Sequence, residues 1–321
     1  MKAASVSTPA RSMAAAPPPE PPEPGSPHRA GMSLRMRNGL VGWSFILPNF
    51  LGFALMTLVP VIALFYLSLT DWNIFGTADW VGLDNFTRLL GDNSFRIALV
   101  NTLYYSVLHV PLTIAASLGL ALLLNTRLRG RTFFRTAAFF PYITSIVAIA
   151  LVWNLIFSPD YGPINSILRQ LGMANPPGWL TSTTWAMPAV VIIATWRDMG
   201  YYMILFLAGL QTIPKDLYEA AKVDGASAGQ RFWNVTLPGL RPTMFFVTII
   251  LTINSFKIFD LILVLTEGGP GQSTFVLSQF IYKKGFAEHQ FGYASAAAVA
   301  LFALCVLVTI VQFSINKRRS S

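Results

Sequence analysis

The chain has 321 residues, of which 54% are hydrophobic and only 12% charged, with a formal net charge of +9. A soluble domain carries about a quarter of its residues charged, so this composition excludes an ordinary water-soluble globule and makes lipid the solvent for much of the surface. The single cysteine, Cys305, lies inside an apolar run, which excludes an intramolecular disulfide framework and a cysteine metal cluster.

Residues 1 to about 31 contain PPPEPPEPGSP and no periodic apolar face, so they cannot bury enough surface to offset the entropy of ordering. They are expected to form a disordered cytoplasmic tail over residues 1–36, ahead of a transmembrane domain over 37–321. No basic segment followed by a short apolar core and a small-residue cleavage site is present, so no cleaved signal peptide is expected.

Six apolar stretches follow, at about 40–68, 97–124, 136–157, 185–210, 242–265 and 291–315. Each is long enough to cross a hydrocarbon core of about 30 Å as a helix. Runs such as IALVNTLYYSVLHVPLTIAASLGLALLL are apolar on every face and too long for the alternating strands of a barrel. The expected fold class is therefore all-α, a polytopic membrane protein with six transmembrane helices.

Lysine and arginine positions set the expected orientation. With the N-terminus inside, the inner segments hold Lys2, Arg11, Arg29, Arg35, Arg37, Arg127, Arg129, Arg131, Arg135, Lys215, Lys222, Arg231, Arg241, Lys317, Arg318 and Arg319. The outer loops hold only Arg88, Arg96, Arg169, Lys283 and Lys284. Both termini are thus expected in the cytoplasm, and the basic charge is explained without nucleic acid.

Between the fourth and fifth stretches lies a loop at about 212–241, containing IPKDLYEAAKVDGASAGQRFWNVTLPGLRP. Pro214 suits a first helical turn, Leu217, Ala220 and Ala221 form an apolar edge, and Gly225 supplies the conformation that stops a helix. Ser227 and Gln230 have the spacing of a capping box for a second helix, which Pro238 is expected to end. Helices this short are marginal alone in water, so the pair is expected to need a docking partner.

The segment EAAKVDGASAGQRFWNVTLP resembles the EAA loop of the inner-membrane permeases of binding-protein-dependent ABC importers. Glu219, Ala220, Ala221, Asp224, Gly225, Ala226, Phe232, Leu237 and Pro238 all fall at the motif's spacing. FKIFDLILVLTEGGPGQST, then IY, then FGYASA resemble the carbohydrate-uptake branch, of the maltose and glycerol-3-phosphate permease type, and the likeness runs over about 38–318. It implies a type I importer permease in the bacterial cytoplasmic (inner) membrane. It also implies a coupling helix at about 214–226 seated in a cytoplasmic ATPase subunit, with Glu219 and Gly225 central to docking and Ala220, Ala221, Asp224 and Ala226 beside them. The implied partners are a second homologous permease subunit, two ATPase subunits, an extracytoplasmic solute-binding protein and the lipid bilayer. ATP and Mg would bind on the ATPase subunits, with no cofactor or metal on this chain.

Polar residues within the apolar stretches are candidates for a solute pathway. The fourth holds Trp196, Arg197, Asp198, Tyr201 and Tyr202, and the fifth Asn254, Ser255, Lys257 and Asp260. Aromatic faces and hydrogen-bonding groups suit a sugar or polyol, which selects Trp196, Tyr201, Tyr202, Asn254, Lys257 and Asp260 as pathway candidates. Structural alternatives remain open: Arg197 and Asp198 as helix-end anchors or partners of another subunit, and Lys257 with Asp260 as an i,i+3 pair. TEGGPGQST lacks the Gly-Lys-Ser/Thr ending of a phosphate loop, and its Gly268, Gly269 and Gly271 are expected to shape an irregular outer loop. Gly292, Ser295, Ala296 and Ala300 are small enough for close helix packing. His28, His109 and His289 are scattered, and no nucleophile-with-base arrangement occurs, so no enzyme is expected. The alternative function is an ion-coupled secondary transporter of a small polar solute, against which stand the EAA loop and the lack of an inverted repeat.

Overall fold

The computed structural model describes residues 34–126 and 129–320, in two compact units, one ending at Leu58 and the other starting at Val59. The expectation for residues 1–33 lies outside the described residues. The first unit contains α1 (Leu34–Phe53) and a π-helical turn, Ala54–Leu58. Its large side chains stand open, Phe45 at 81% and Met56 at 74% exposure, as in a helix whose apolar surface is solvated by lipid.

The second unit opens with α2 (Val59–Ser68), which completes a helical stretch, Gly42–Ser68, able to span a bilayer. A two-stranded hairpin of β1 (Thr70–Asp71) and β2 (Asp79–Trp80), with Thr70 opposite Trp80, leads to α3 (Asp84–Gly91). α4 (Asn93–Leu124) starts at a true N-cap, since Asp92 Oδ1 accepts from the backbone N–H of Ser94 at 2.8 Å and of Phe95 at 3.3 Å. α5 (Arg131–Ile143), α6 (Ile146–Ile156) and α7 (Pro163–Gln170) follow, then α8 (Ala186–Thr212), the most enclosed of the long helices.

Beyond α8 come α9 (Lys215–Val223), α10 (Ala228–Arg231), a π-turn Phe232–Thr236 and α11 (Leu237–Gly239). The chain closes with α12 (Arg241–Phe256), α13 (Asp260–Leu265), α14 (Leu277–Tyr282) and α15 (Phe291–Ser320). Among the described residues, four helices are long and apolar enough to cross a membrane, and six spans result if each of two bent pairs counts as one.

Three expectations about element boundaries are corrected. The stretch at 136–157 is not one straight helix, because α5 and α6 meet at 99°. Pro141 withholds a backbone donor near the end of α5, and Thr144 turns extended while its hydroxyl bonds the Phe140 carbonyl at 2.8 Å. The stretch at 242–265 breaks after Phe256, where Phe259 leaves helical geometry at φ −143° and α13 begins afresh. Pro238 does not end the second loop helix. It sits in the first turn of α11, where its missing N–H costs nothing, and the helical run continues to Gly239 before turning by 67° into α12.

Three apolar clusters hold the second unit together. One joins α6, α8 and α13 through Ile149, Val190, Ile193 and Leu261. A second joins α4, α8 and α12 through Leu118, Phe206, Leu210 and Leu251, and a third joins α3, α4, α14 and α15 through Leu89, Phe95, Phe280 and Ala297. Two glycines of α8 permit its close contacts: a Cβ on Gly200 would overlap the Ala138 carbonyl of α5, and one on Gly209 would overlap the Thr243 hydroxyl of α12. The small residues at the start of α15 pack within the chain, for a Cβ on Gly292 would overlap the Thr70 carbonyl and Ala296 is fully buried.

The loops at 69–92 and 257–290 share the face opposite the α8–α12 connection. Arg88 Nη2 donates to Gln290 Oε1 at 3.1 Å, Asn73 bridges to Gln290, and Asn101 Nδ2 reaches the carbonyls of Gln272 and Phe275 at 2.8 and 2.9 Å. As expected, the glycine-rich segment is irregular: Gly268 and Gly271 have φ of 89° and 55°, and Glu267 and Gln272 join them at positive φ. Gly269 does not share that conformation.

Candidate functional site

The loop between α8 and α12 is built by local hydrogen bonds that its sequence announces. At the end of α9 the Ala226 N–H reaches back to the Ala221 carbonyl at 2.9 Å and the Gly225 N–H to the Lys222 carbonyl at 3.0 Å. This is the paired closure of a Schellman motif, which requires a left-handed residue at Gly225, and its φ is 74°. One residue later Ser227 and Gln230 form the capping box, with Gln230 Oε1 accepting from the Ser227 N–H at 2.7 Å and Ser227 Oγ from the Gln230 N–H at 3.3 Å.

α9 is tied to the spans through Tyr218. The Tyr218 ring packs against the α4–α8–α12 cluster, and its hydroxyl meets Thr236 Oγ1 at 3.0 Å. Glu219, Ala220, Asp224 and Gly225 are exposed, and Ala221 and Ala226 half-buried, so all six coupling candidates lie on one accessible loop. Beside them Leu217 is 51% and Val223 88% exposed. Glu219 forms no ion pair among the described residues. Two open aliphatic side chains, a free carboxylate and a fixed turn are the makings of a protein-docking surface.

The pathway candidates are only partly brought together. Asn254 Nδ2 donates to the Tyr202 hydroxyl at 3.4 Å, Tyr202 and Tyr201 meet edge to face at 5.1 Å, and Tyr201 stacks on Tyr142 at 4.5 Å. Trp196 packs on Trp153 at 5.4 Å and remains 36% exposed. Lys257 stands apart, lining a largely apolar groove of about 440 Å³ with Ile253, Phe302 and half-buried Cys305. It makes no ion pair with Asp260, whose Oδ1 accepts the Leu261 N–H at 3.1 Å, because the break after Phe256 puts the two residues on separate elements.

Sequence reasoning missed His109. Its ring is buried at 2% exposure and stacked on Tyr105 at 5.0 Å, with Nε2 3.4 Å from Asp198 Oδ2. Asp198 Oδ1 accepts from Arg197 Nε at 2.7 Å. Thr113 Oγ1 donates to Thr195 Oγ1 at 3.2 Å, and Thr195 Oγ1 lies 3.4 Å from His109 Nδ1. A consistent assignment runs hydroxyl to hydroxyl to Nδ1, with Nε2–H and Arg197 Nε–H both directed at Asp198, which satisfies the His109 ring and the Asp198 carboxylate. The Arg197–Asp198 motif therefore does not anchor a helix end; it closes a network between α4 and α8 in mid-span. The signal was a histidine in an otherwise apolar run, which only becomes informative once α4 lies against α8.

On the opposite face Asp92 accepts from the Tyr293 hydroxyl at 2.8 Å, and Arg88 lies over the Tyr293 ring at 4.2 Å. Burial alone would push the Asp92 carboxyl up, but the bonds from Tyr293, Phe95 and Ser94, with Lys284 nearby, outweigh it and hold the carboxyl below the usual range. These contacts tie α15 to the start of α4. Among the described residues no cluster of histidine, cysteine or carboxylates could hold a metal ion.

A helical domain with several apolar spans, an exposed loop with a fixed turn, and polar groups in mid-span fits a membrane transport subunit. The chain belongs to the family of binding-protein-dependent transport system inner membrane components, whose pattern matches residues 112–321. It is 36% identical to the probable ABC transporter permease protein YesP of Bacillus subtilis (strain 168), over 88% of this chain and 91% of that protein. It is 35% identical to the trehalose/maltose transport system permease protein MalF of Thermococcus litoralis, over 89% of this chain and 97% of that protein. A crystal structure of a bacterial ABC transporter that imports the acidic polysaccharide alginate matches with a TM-score of 0.78 at 25% identity, covering 89% of this chain and 98% of that one. The chain is thus an ABC importer permease.

Proposed function

We propose that this permease forms one half of the pathway of an ATP-driven importer for a sugar or related polyol, coupled to cytoplasmic ATPase subunits through α9. The observation that carries the reading is the exposed α9 with its Schellman turn at Gly225, which presents Leu217, Glu219 and Val223 outward while Tyr218 secures the helix to the spans. The excess of lysine and arginine on the same side of the spans supports a cytoplasmic loop and cytoplasmic termini. The opposite face would then receive solute from a binding protein. A second permease subunit would complete the pathway, and ATP with Mg would act on the ATPase subunits.

The carbohydrate class is supported by the relatives' trehalose/maltose and alginate systems, and by the Trp196, Tyr201, Tyr202 and Asn254 side chains, which offer ring faces and hydrogen bonds to hydroxyls. Motion of docked ATPase subunits would reach the spans through Tyr218 and the bent helical run from α10 through α11 into α12.

The test is affinity purification from mildly solubilised membranes with ATPase activity measured on the eluate, comparing the native chain with Glu219→Lys. The native chain should bring down an ATPase and a second permease, and the variant should lose the ATPase. Recovery of the native chain alone, transporting solute without regard to ATP, would overturn the assignment.

A further inference from the structure

Arg197 occupies a position that the α4–α8 network does not explain. It lies 11 residues into a helix of 27, Ala186–Thr212, so at 1.5 Å per residue it is about 16 Å from one end and about 22 Å from the other. Its Nε–H is committed to Asp198, yet Nη1 and Nη2 have no hydrogen-bond acceptor in the described chain, and the side chain remains 19% exposed. A guanidinium edge directed into hydrocarbon at this depth is strongly disfavoured, so that edge needs a wet cavity or a partner's acceptor.

The neighbouring chemistry favours the cavity. Trp196 and Asn254 are exposed and Tyr201 is partly so; Asn254 donates to the Tyr202 hydroxyl, and the Tyr202 ring meets the Tyr201 ring edge to face. Asp198 lies directly against the guanidinium, its Oδ1 2.7 Å from Nε, and Asp260 is exposed at the start of α13. Because Asp198 is held by His109 as well as by Arg197, the fork is fixed in direction before any solute arrives.

The charge balance is equally informative. Asp198 offsets Arg197, Asp260 adds a negative charge, and Lys257 stands apart in the apolar groove beside Cys305, so this half of the pathway presents no net positive field at mid-span. An anionic solute stripped of water there would lack a counter-charge, whereas hydroxyls can accept from Arg197 and Asn254 and donate to Asp260. We propose that Arg197, pinned by Asp198 and His109, is a specificity-determining donor of this half of the pathway, and that it selects an uncharged, polyhydroxylated solute. The inference rests on the importer reading and narrows its substrate class.

Cys305 is the only cysteine, so Cys305→Ser gives a background free of thiols for an accessibility test in membranes of cells expressing the complete importer. Arg197→Cys should react with both anionic sulfonatoethyl and cationic trimethylammonioethyl methanethiosulfonate, while the fully buried Val190→Cys should not. An unreactive Arg197→Cys would overturn the proposal and assign the guanidinium to a second subunit or to lipid. With Arg197 intact, Asn254→Cys should show a ratio of anionic to cationic reagent rates within about threefold of that for free 2-mercaptoethanol. A preference of tenfold or more for the anionic reagent would overturn the uncharged class, as would accumulation of sn-glycerol-3-phosphate in place of neutral disaccharides by the native importer. Arg197→Lys keeps the charge but loses the fork, and should raise the KM for the accumulated sugar about tenfold with the ATPase still co-purifying; an unchanged KM would overturn the role. Co-purification of the ATPase, measured on each preparation, separates failure of this inference from failure of the importer reading.

Discussion

Gly225→Ala isolates the conformational requirement of the α9–α10 turn from its contacts. A Cβ at this position would meet nothing within 4 Å, so no steric clash with the rest of the chain arises, but φ is 74°. An L-residue other than glycine pays about 1–2 kcal/mol to adopt the left-handed region, which corresponds to about 5- to 30-fold in a conformational equilibrium. Because α9 and α10 are short and lean on this turn, the variant's affinity for the ATPase subunit proposed to dock on α9 should fall by about that factor. Gly229→Ala provides the control: a Cβ there also meets nothing within 4 Å, but the residue lies in α10 at ordinary helical geometry. It should bind as well as the native chain or better, since alanine favours a helix over glycine by about 1 kcal/mol. Gly225→Asn should fall between the two, because asparagine tolerates the left-handed region. The assay is titration of ATPase subunits onto the permease in detergent or nanodiscs. Equal losses for Gly225→Ala and Gly229→Ala would refute the argument, since they would make added bulk, and not backbone conformation, the cause.

Gly200→Ala places its Cβ over the Ala138 carbonyl and 2.8 Å from the Phe139 Cα, both backbone atoms that cannot rotate away; α5 must move, and the thermal stability of the purified protein should fall by the equivalent of about 1–3 kcal/mol or more. Asp198→Leu leaves His109 and Arg197 without their shared acceptor, a loss of about 3–5 kcal/mol for breaking a buried charged pair. The double variant with His109→Leu should show less than the sum of the two single losses in the same melting assay. On the opposite face, the Asp92 carboxyl is held below its usual range, so its contribution is present above the unfolded value of about 3.9 and disappears as pH falls through the lower folded one. Asp92→Asn should therefore destabilise the protein at pH 7, with the difference from the native chain vanishing in acid; a difference that persists unchanged at pH 3 would contradict the sign.

The sequence alone determined what depends on composition and on neighbours a few residues away. Apolar length selected the spans, the Gly225 and Ala226 amides closed α9 by bonding carbonyls three and five positions back, and Ser227 with Gln230 capped α10 within one turn. Each of these decisions involves backbone groups already close in the chain, so residue type suffices to predict it. Tertiary structure decided the rest. His109 and Asp198 carry no joint signal in the sequence and become partners only because α4 lies against α8. The bend between α5 and α6 accompanies the approach that Gly200 permits, and the break after Phe256 separates Lys257 from the Asp260 it would have met in a continuous helix. In a membrane, apolar length fixes that a segment crosses but not how it bends or what its polar residues face, because lipid solvates every apolar surface alike and only packing against particular neighbours distinguishes one face from another.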